Sequence, residues 1–354
     1  MVRLAVAVLF LASVVGAGVV DSRQDDPSAR VASTATTTST TTTAVPDTTT
    51  TTTAPAPPTT ARPTTTRPPA TPASTAVAPV PQPAGDVKVL VTPKGVVVPV
   101  TGREASGYRV TTPCGRSAVV VDGTPVIDAD VVLDAGHGGA EPGAISPSGL
   151  PEKGINLEVV NHARTALEKA GVNTVRTRTG DYRVTIATRT EIAKALKPDV
   201  FVSVHHNAEP DGPRDGPGSE TYYQVASPDS KRLAGLIYEE IVKALSAYQV
   251  PWVADTDAGA KYRTNVKGDD YYGILRNAKG VTSALAELAF VSNPAEADLL
   301  ARADVQQVEG EALARAILRF LNTRDPGSGF TEPYPRSSPA GGGGGSSNCA
   351  DPPL

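Results

Sequence analysis

The stretch VVLDAGHGGAEPG, residues 131–143, decides how the rest of the chain is read. Three aliphatic residues, Asp134 and Ala135 run without polar alternation, as a strand buried on both faces does. A turn with Gly136, Gly138, Gly139 and Gly143 follows, and His137 stands in it. Further along, INLEVVNHARTALEKAG (155–171) places Ile155, Val159, Ala163, Ala166 and Leu167 on one helical face and stops at Gly171. VNTVRTR (172–178) reads as the next strand, IATRTEIAKAL (186–196) as a helix and DVFVSVHHN (199–207) as a strand. SETYYQV (219–225) adds a strand, and a helix opening at Ser227-Pro228 turns Leu233, Ile237, Ile241 and Leu245 inward. SALAELAFVS (283–292) is another buried strand. Asn293, Pro294 and Glu296 then supply an N-cap, a first-turn proline and a capping-box glutamate before an amphipathic run through Phe320. This alternation predicts an α/β fold, a mixed and mostly parallel twisted sheet with helices on both faces. Ligands of such sheets bind beyond the carboxyl ends of the strands.

The predicted strand ends carry the chemistry. His137 follows the first strand, His205 ends VFVSV with His206 and Asn207 behind it, and Glu287 stands inside the apolar LAEL. Glu152 opens the helix after the first strand. A phosphate-binding reading of the glycine turn is weak: GxxxxGK[ST] and GxGxxG are absent, and Glu141 would repel an anion. A metal reading is stronger, because neutral imidazoles with a carboxylate are the usual ligands of a catalytic zinc, leaving a fourth position open. Glu287 would be costly to bury as an unpaired charge, an objection that a neighbouring cation removes. One of Glu152 and Glu287 is therefore expected to be a ligand and the other the general base.

The chain has 354 residues and a net charge of −4, so no global basic field recruits nucleic acid. High glycine and proline with 5% aromatics fit one ordinary domain flanked by low-complexity segments. Residues 1–21 carry Arg3, an apolar run and small residues at Gly16, Ala17 and Gly18, which reads as a signal peptide or an N-terminal anchor. Residues 22–85 are a Thr/Pro/Ala-rich linker without apolar surface to offset ordering, either a glycosylated spacer or an undecorated one. Residues 86–129 hold five short β-type runs and predict a small N-terminal β element. The α/β domain occupies 130–323, and 324–354 is a Gly/Ser/Pro tail expected to be unstructured. Export to the periplasm, cell wall or exterior follows, with membrane contact only through the N-terminal segment. Export permits a Cys114–Cys349 bridge, and sequence leaves that bridge and two free thiols equally open.

Six segments in order carry a family resemblance: DAGHGGAEPGA, the glutamate of LPEKGINLEV, TRTGDYRVTIATR, VFVSVHHNA, GSETYY and LAELAFVSN. Together they resemble zinc-dependent N-acetylmuramoyl-L-alanine amidases with the catalytic domain called amidase 3, over roughly residues 130–322. The resemblance implies Zn2+ held by His137, Glu152 and His205, with Glu287 as the catalytic glutamate. It implies hydrolysis of the amide between the lactyl group of N-acetylmuramic acid and L-alanine of the stem peptide. Peptidoglycan, stem peptide and glycan strand, is then the partner, and a monomer is expected. Arg276 and Asn207 are candidates for binding the substrate, Arg276 through a stem-peptide carboxylate. Two positions depart from the family pattern: His206 replaces a small residue, and Ala289 replaces a glycine. Strand alternation lets only one of His205 and His206 face the metal, and the motif favours His205.

In some members a helix inserted before the catalytic strand plugs the zinc site until a partner removes it. Here AEPDGPRDGPG is too short and too rich in proline and glycine for such a helix, and PWVADTDAGAKYRTNVKGDDYYG lacks helical periodicity. Open access is expected, with the second stretch lining the groove. His162 reads as a packing or solvent-facing helix residue. Asp134 reads as a turn residue or an acceptor orienting a histidine. Arg178, Asp181 and Arg189 read as a structural ion network around their loop. Two rival functions stand beside the amidase, a silent peptidoglycan-binding protein on the same scaffold and a zinc peptidase or deacetylase acting on another wall bond.

Overall fold

Apolar runs that alternate poorly as half-exposed strands become the centre of a sheet covered on both sides. The computed structural model describes residues 86–333 and 348–354. The expected signal segment and linker, residues 1–85, lie outside them. Five strands come first: β1 (Val89–Val91), β2 (Val97–Glu104), β3 (Gly107–Thr111), β4 (Ser117–Val120) and β5 (Thr124–Val126). They form an antiparallel sheet in the order β4-β3-β2-β1-β5, the small N-terminal β element. Then follow β6 (Val131–Ala135), α1 (Glu152–Lys169), β7 (Thr174–Arg176), α2 (Ile186–Leu196) and β8 (Val200–Asn207). The chain continues through β9 (Gly212–Pro213), β10 (Glu220–Tyr223), α3 (Pro228–Leu245), β11 (Val253–Ala254) and β12 (Ala260–Lys261). It closes with α4 (Gly273–Asn277), β13 (Ser283–Phe290), α5 (Pro294–Leu300) and α6 (Ala303–Asn322).

The main sheet has the order β12-β10-β13-β8-β6-β7. β7, β6, β8 and β13 are mutually parallel; β10 pairs antiparallel with β13, and β12 runs parallel to β10. This is the mixed, mostly parallel sheet that the strand–helix alternation predicts. Val131, Leu133, Ala135, Val202 and Val204 point to one face, where Ile155 and Val159 of α1, Leu233 and Ile237 of α3 and Leu313 and Ile317 of α6 bury them. Val132, Phe201 and Leu285 point to the other face, against Ile192 and Leu196 of α2, Leu275 of α4 and Val89 and Val97 of the β element. A fully buried aliphatic side chain stabilises by about 1.5–3 kcal/mol, so covering both faces is what holds the parallel strands together. His162 lies where α1 crosses α6, and a Cβ on Gly310 would come within 2.5 Å of its Cβ. The packing role expected for that histidine is the one it has.

Two local expectations change. Glu296 does not close a capping box: Asn293 caps α5 by accepting from Glu296 N at 3.0 Å. The Glu296 carboxylate instead accepts from Phe290 N (2.7 Å) and Val253 N (2.9 Å). The end of β13 and the start of β11 both need a partner there, and a buried carboxylate satisfies both.

The described parts of the tail are docked rather than unstructured. Gly329 and Thr331 exchange backbone hydrogen bonds with Ala260, and Asp325 bonds to Arg319. Cys349 forms a disulfide with Cys114 across a Cα–Cα distance of 5.6 Å. The composition of the tail hides these anchors, because each is a single residue among glycines and serines.

Candidate metal centre

β6 stops at Ala135, and the chain turns over at His137 with φ 59°. That left-handed conformation costs a residue with a Cβ about 1–2 kcal/mol, so something must hold it. Two buried arginines do. Arg189 donates to the carbonyls of Ala135 (2.6 Å) and His137 (2.6 Å) and to Asp134 Oδ1 (2.5 Å). Arg178 donates to the carbonyls of Ala135 (2.8 Å), Gly136 (2.9 Å) and Lys153 (2.7 Å). The structural network expected around this loop is there, with Arg178 and Arg189 as a buried brace of the turn, and of the three residues only Asp181 is exposed, bonded to Lys153 Nζ at 2.7 Å. Asp134 is the buried counter-charge of Arg189 and also accepts from Ser203 (2.6 Å) and Thr177. Both of its expected roles, turn residue and acceptor for a histidine, give way to this one.

His137, Glu152 and His205 converge. His137 Nε2 lies 3.1 Å from Glu152 Oε2, and His205 Nδ1 lies 3.0 Å from Glu152 Oε1. One ligand atom from each falls within 4.8 Å of the others. Glycines make the convergence possible. A Cβ on Gly136 would stand 2.2 Å from His205 Cε1, and one on Gly143 would stand 2.3 Å from Glu152 Oε2. Glu152 is the first residue of α1, where Ala144 N also donates to its Oε2 at 2.8 Å. Burial opposes its ionisation, but the hydrogen bonds of His137 and His205 outweigh burial and hold its carboxyl well below the usual range. Burial likewise pushes His205 below the ordinary imidazole value, toward the neutral form that ligates. Two imidazole nitrogens and one ionised carboxylate on a glycine cradle fit a zinc ion, and both histidines keep partial solvent access.

His205 pairs in register with Glu287, and Glu287 with Glu220. Paired residues share a face, so the three form a row across β8, β13 and β10. Glu287 is half-buried, the one residue of β13 that keeps part of its surface exposed. Loss of hydration raises its pKa well above the usual carboxyl value, and the neighbouring Glu152, Glu220 and Asp255 raise it further. His206 faces the other way, with its ring 2.8 Å from Asn156 Oδ1, so His205 alone of the pair faces Glu152.

The two substrate-binding candidates are placed differently. Asn207 sits beside the row, its Nδ2 donating to Glu220 Oε2 at 2.9 Å. Arg276 does not join the group. Its Nη1 donates to the carbonyls of Asp270 (2.6 Å) and Tyr271 (2.7 Å). It lines a cleft with Gln224, Lys279 and Thr282 at the start of β13, the end away from Glu287. A short α4 turns the guanidinium back onto its own loop, which charge and position in sequence do not reveal.

Sequence reading passed over Glu220. It is fully buried and also accepts from Tyr222 Oη (2.6 Å) and Lys261 Nζ (2.7 Å), and Lys261 in turn reaches Asp257 Oδ1 at 2.5 Å. The signal for Glu220 was present, an acid inside an apolar strand, as for Glu287. Lys261 had none, standing in a polar loop sequence. That loop holds no helix long enough to plug the site: among the described residues only the five-residue α4 lies between β12 and β13.

Residues 131–319 match the family model described as N-acetylmuramoyl-L-alanine amidase. The Bacillus subtilis (strain 168) protein YqiI is 35% identical over 58% of this chain and 88% of its own length. The endolysin of Bacillus phage SPP1 is 32% identical over 60% of this chain and 73% of its own. N-acetylmuramoyl-L-alanine amidase AmiC of Neisseria meningitidis serogroup B (strain ATCC BAA-335 / MC58) is 28% identical over 54% of this chain, which spans 53% of that protein.

Proposed function

We propose, for a chain that belongs to the N-acetylmuramoyl-L-alanine amidase family, that it hydrolyses the amide between the lactyl group of N-acetylmuramic acid and L-alanine of the peptidoglycan stem peptide. The observation that carries this reading is the pairing of Glu287 with His205, which sets a carboxylate of raised pKa beside a two-histidine, one-glutamate cluster. His137, Glu152 and His205 would hold zinc. Bound there, zinc supplies Lewis acidity to a carbonyl oxygen and brings the pKa of water down toward about 7. Glu287, as carboxylate, takes the proton of the attacking water and passes it to the departing alanine nitrogen. Asn207 and Glu220 hold the side of the row away from the histidines. Arg178 and Arg189 keep the His137 turn from relaxing.

Export is part of this reading. The Cys114–Cys349 bridge supports it, since disulfides persist in oxidising compartments. No described helix is long and apolar enough to cross a membrane. The test is digestion of purified peptidoglycan by the purified chain without an activator, with the products weighed by mass spectrometry. Intact stem peptides with a free L-alanine amine are expected. Shortened stems or deacetylated sugars would assign the site to another wall bond. Glu287→Gln is expected to retain zinc and lose hydrolysis by at least about 100-fold, the scale of a lost general base. A variant of full activity would remove Glu287 from the role, and a wild-type chain that binds wall without cleaving it would make the protein a binding module.

A further inference from the structure

His206 has no part in the proposed chemistry, yet it is buried more deeply than the ligand beside it, at 2% exposure. Its ring lies between α1 and α6 against Asn156 and Glu309, both fully buried. Hydrogen-bond chemistry gives this group a direction. The Glu152 carboxylate can only accept, so Asn156 turns its NH2 toward Oε1 at 2.9 Å. The same NH2 also faces the Gly136 carbonyl at 3.4 Å. Asn156 Oδ1 is then left facing His206 Nδ1 at 2.8 Å, so Nδ1 carries a hydrogen. On the far side of the ring, Nε2 lies 3.4 Å from Glu309 Oε1. Donors run one way, from His206 Nδ1 through Asn156 to an oxygen of Glu152, with Glu309 closing the far side of the ring. The His206 backbone N–H ends on the same oxygen at 3.1 Å.

We propose that Glu309, His206 and Asn156 form a buried positioning relay that fixes the Glu152 carboxylate in its metal-binding orientation. The proposal rests on Glu152 being a metal ligand. Filling space does not account for the group. Apolar side chains of similar volume would fill the same gap without stripping water from an acid, an imidazole and an amide. Glu309 Oε2 has no hydrogen-bond partner among the described residues, which packing alone would not select. The helices come close at this level: a Cβ on Gly310 would lie 2.6 Å from the Val159 carbonyl. That approach carries Glu309 on α6 to within reach of β8.

Zinc affinity of the full chain, measured against a competing chelator, tests the relay. The visible spectrum of the cobalt-substituted protein and the melting of the metal-free protein are read alongside it. Glu309→Leu is expected to weaken zinc about 10–100-fold and to alter the cobalt spectrum. Its metal-free form should melt lower than wild type, because His206 Nε2 is left buried without its partner, and Glu309→Gln should restore the melt. Glu309→Gln, whose amide can donate to Nε2, should retain near wild-type affinity. His206→Ala should weaken zinc as Glu309→Leu does, and the double variant no further, as expected of residues acting in series. Equal affinity and an unchanged cobalt spectrum in the Leu and Gln variants would overturn the relay, as would wild-type affinity in His206→Ala. A wild-type chain that binds no zinc would instead overturn the metal reading beneath it.

Discussion

Glu287 and Glu220 are strand partners, and their pairing bears on the pH range of the proposed chemistry. The two acids lie opposite each other on β13 and β10, and among the described side chains only Glu220 has a basic one, Lys261, against it. Burial raises the pKa of Glu220 against the pull of Lys261. Glu287 is raised further from its usual value by lost hydration and by three neighbouring acids. A base acts only once deprotonated, so hydrolysis should rise with pH as Glu287 ionises, at a pH set by these acids against the charge of a zinc held beside it. Glu220→Gln removes one of the repelling charges, which makes Glu287 easier to ionise. The acid limb of kcat/KM should therefore move to lower pH in Glu220→Gln, and a limb that stays or moves upward would show that Glu220 does not tune Glu287. At this scale the sequence was legible where a polar residue interrupts an apolar strand, as His205 and Glu287 do. It was not legible for Arg178 and Arg189. They stand in TRTGDYRVTIATR among polar neighbours, and nothing local announces that their partners are the carbonyls of a distant turn.

Elements were read well where one period runs unbroken. The α1 face of Ile155, Val159, Ala163 and Leu167 is buried as its spacing requires, and Ser227 caps α3 where the helix was expected to open. The reading failed at α5 because a glutamate three residues after an N-cap has two possible uses. Capping would leave Glu296 in water, whereas the backbone of β13 and β11 needs an acceptor inside. Burial pushes the Glu296 pKa up to about 7, against the hydrogen bonds from Phe290 and Val253 that favour the ionised form. In the unfolded chain the same carboxyl titrates near its reference value of about 4.3. The folded state thus binds this proton more tightly, so the contribution is full below about pH 4.3 and fades as pH rises through about 7. A shift of that size corresponds to about 4 kcal/mol. Metal-free wild-type protein should therefore lose more stability between pH 5 and pH 8 than Glu296→Gln, whose side chain does not titrate. Parallel pH profiles in urea unfolding would show that Glu296 is not the group responsible.

At the scale of the whole molecule, the β element and the end of the chain are held as one structure. The element packs Val89 and Val97 on the main sheet, while Thr185 N donates to the Pro113 carbonyl and Thr188 Oγ1 to that of Thr112. The C-terminal residues close over its outer side. Asp351 accepts from Cys114 N (2.7 Å), Thr112 Oγ1 (2.9 Å) and Arg116 Nη1 (2.6 Å). Arg116 also donates to the Cys349 carbonyl at 2.7 Å, and Leu354 packs against the cluster that holds Leu90, Val98 and Val110. The disulfide joins residues 235 apart in sequence, so it removes much of the freedom of the unfolded chain. Loop-closure entropy for such a span is about 5 kcal/mol, and native bridges typically contribute about 2–4 kcal/mol. Cys349→Ser should lower the stability to urea by about 2–5 kcal/mol. The residues proposed to hold zinc and act as base come from elements that the bridge does not touch, so zinc content and hydrolysis in native buffer should persist. Reductant should bring wild type down to the level of the variant and leave the variant unchanged. If wild type unfolds at the same urea concentration with and without reductant, the bridge adds nothing, and the hydrogen bonds of Asp351 with the packing of Leu354 would alone hold the chain end.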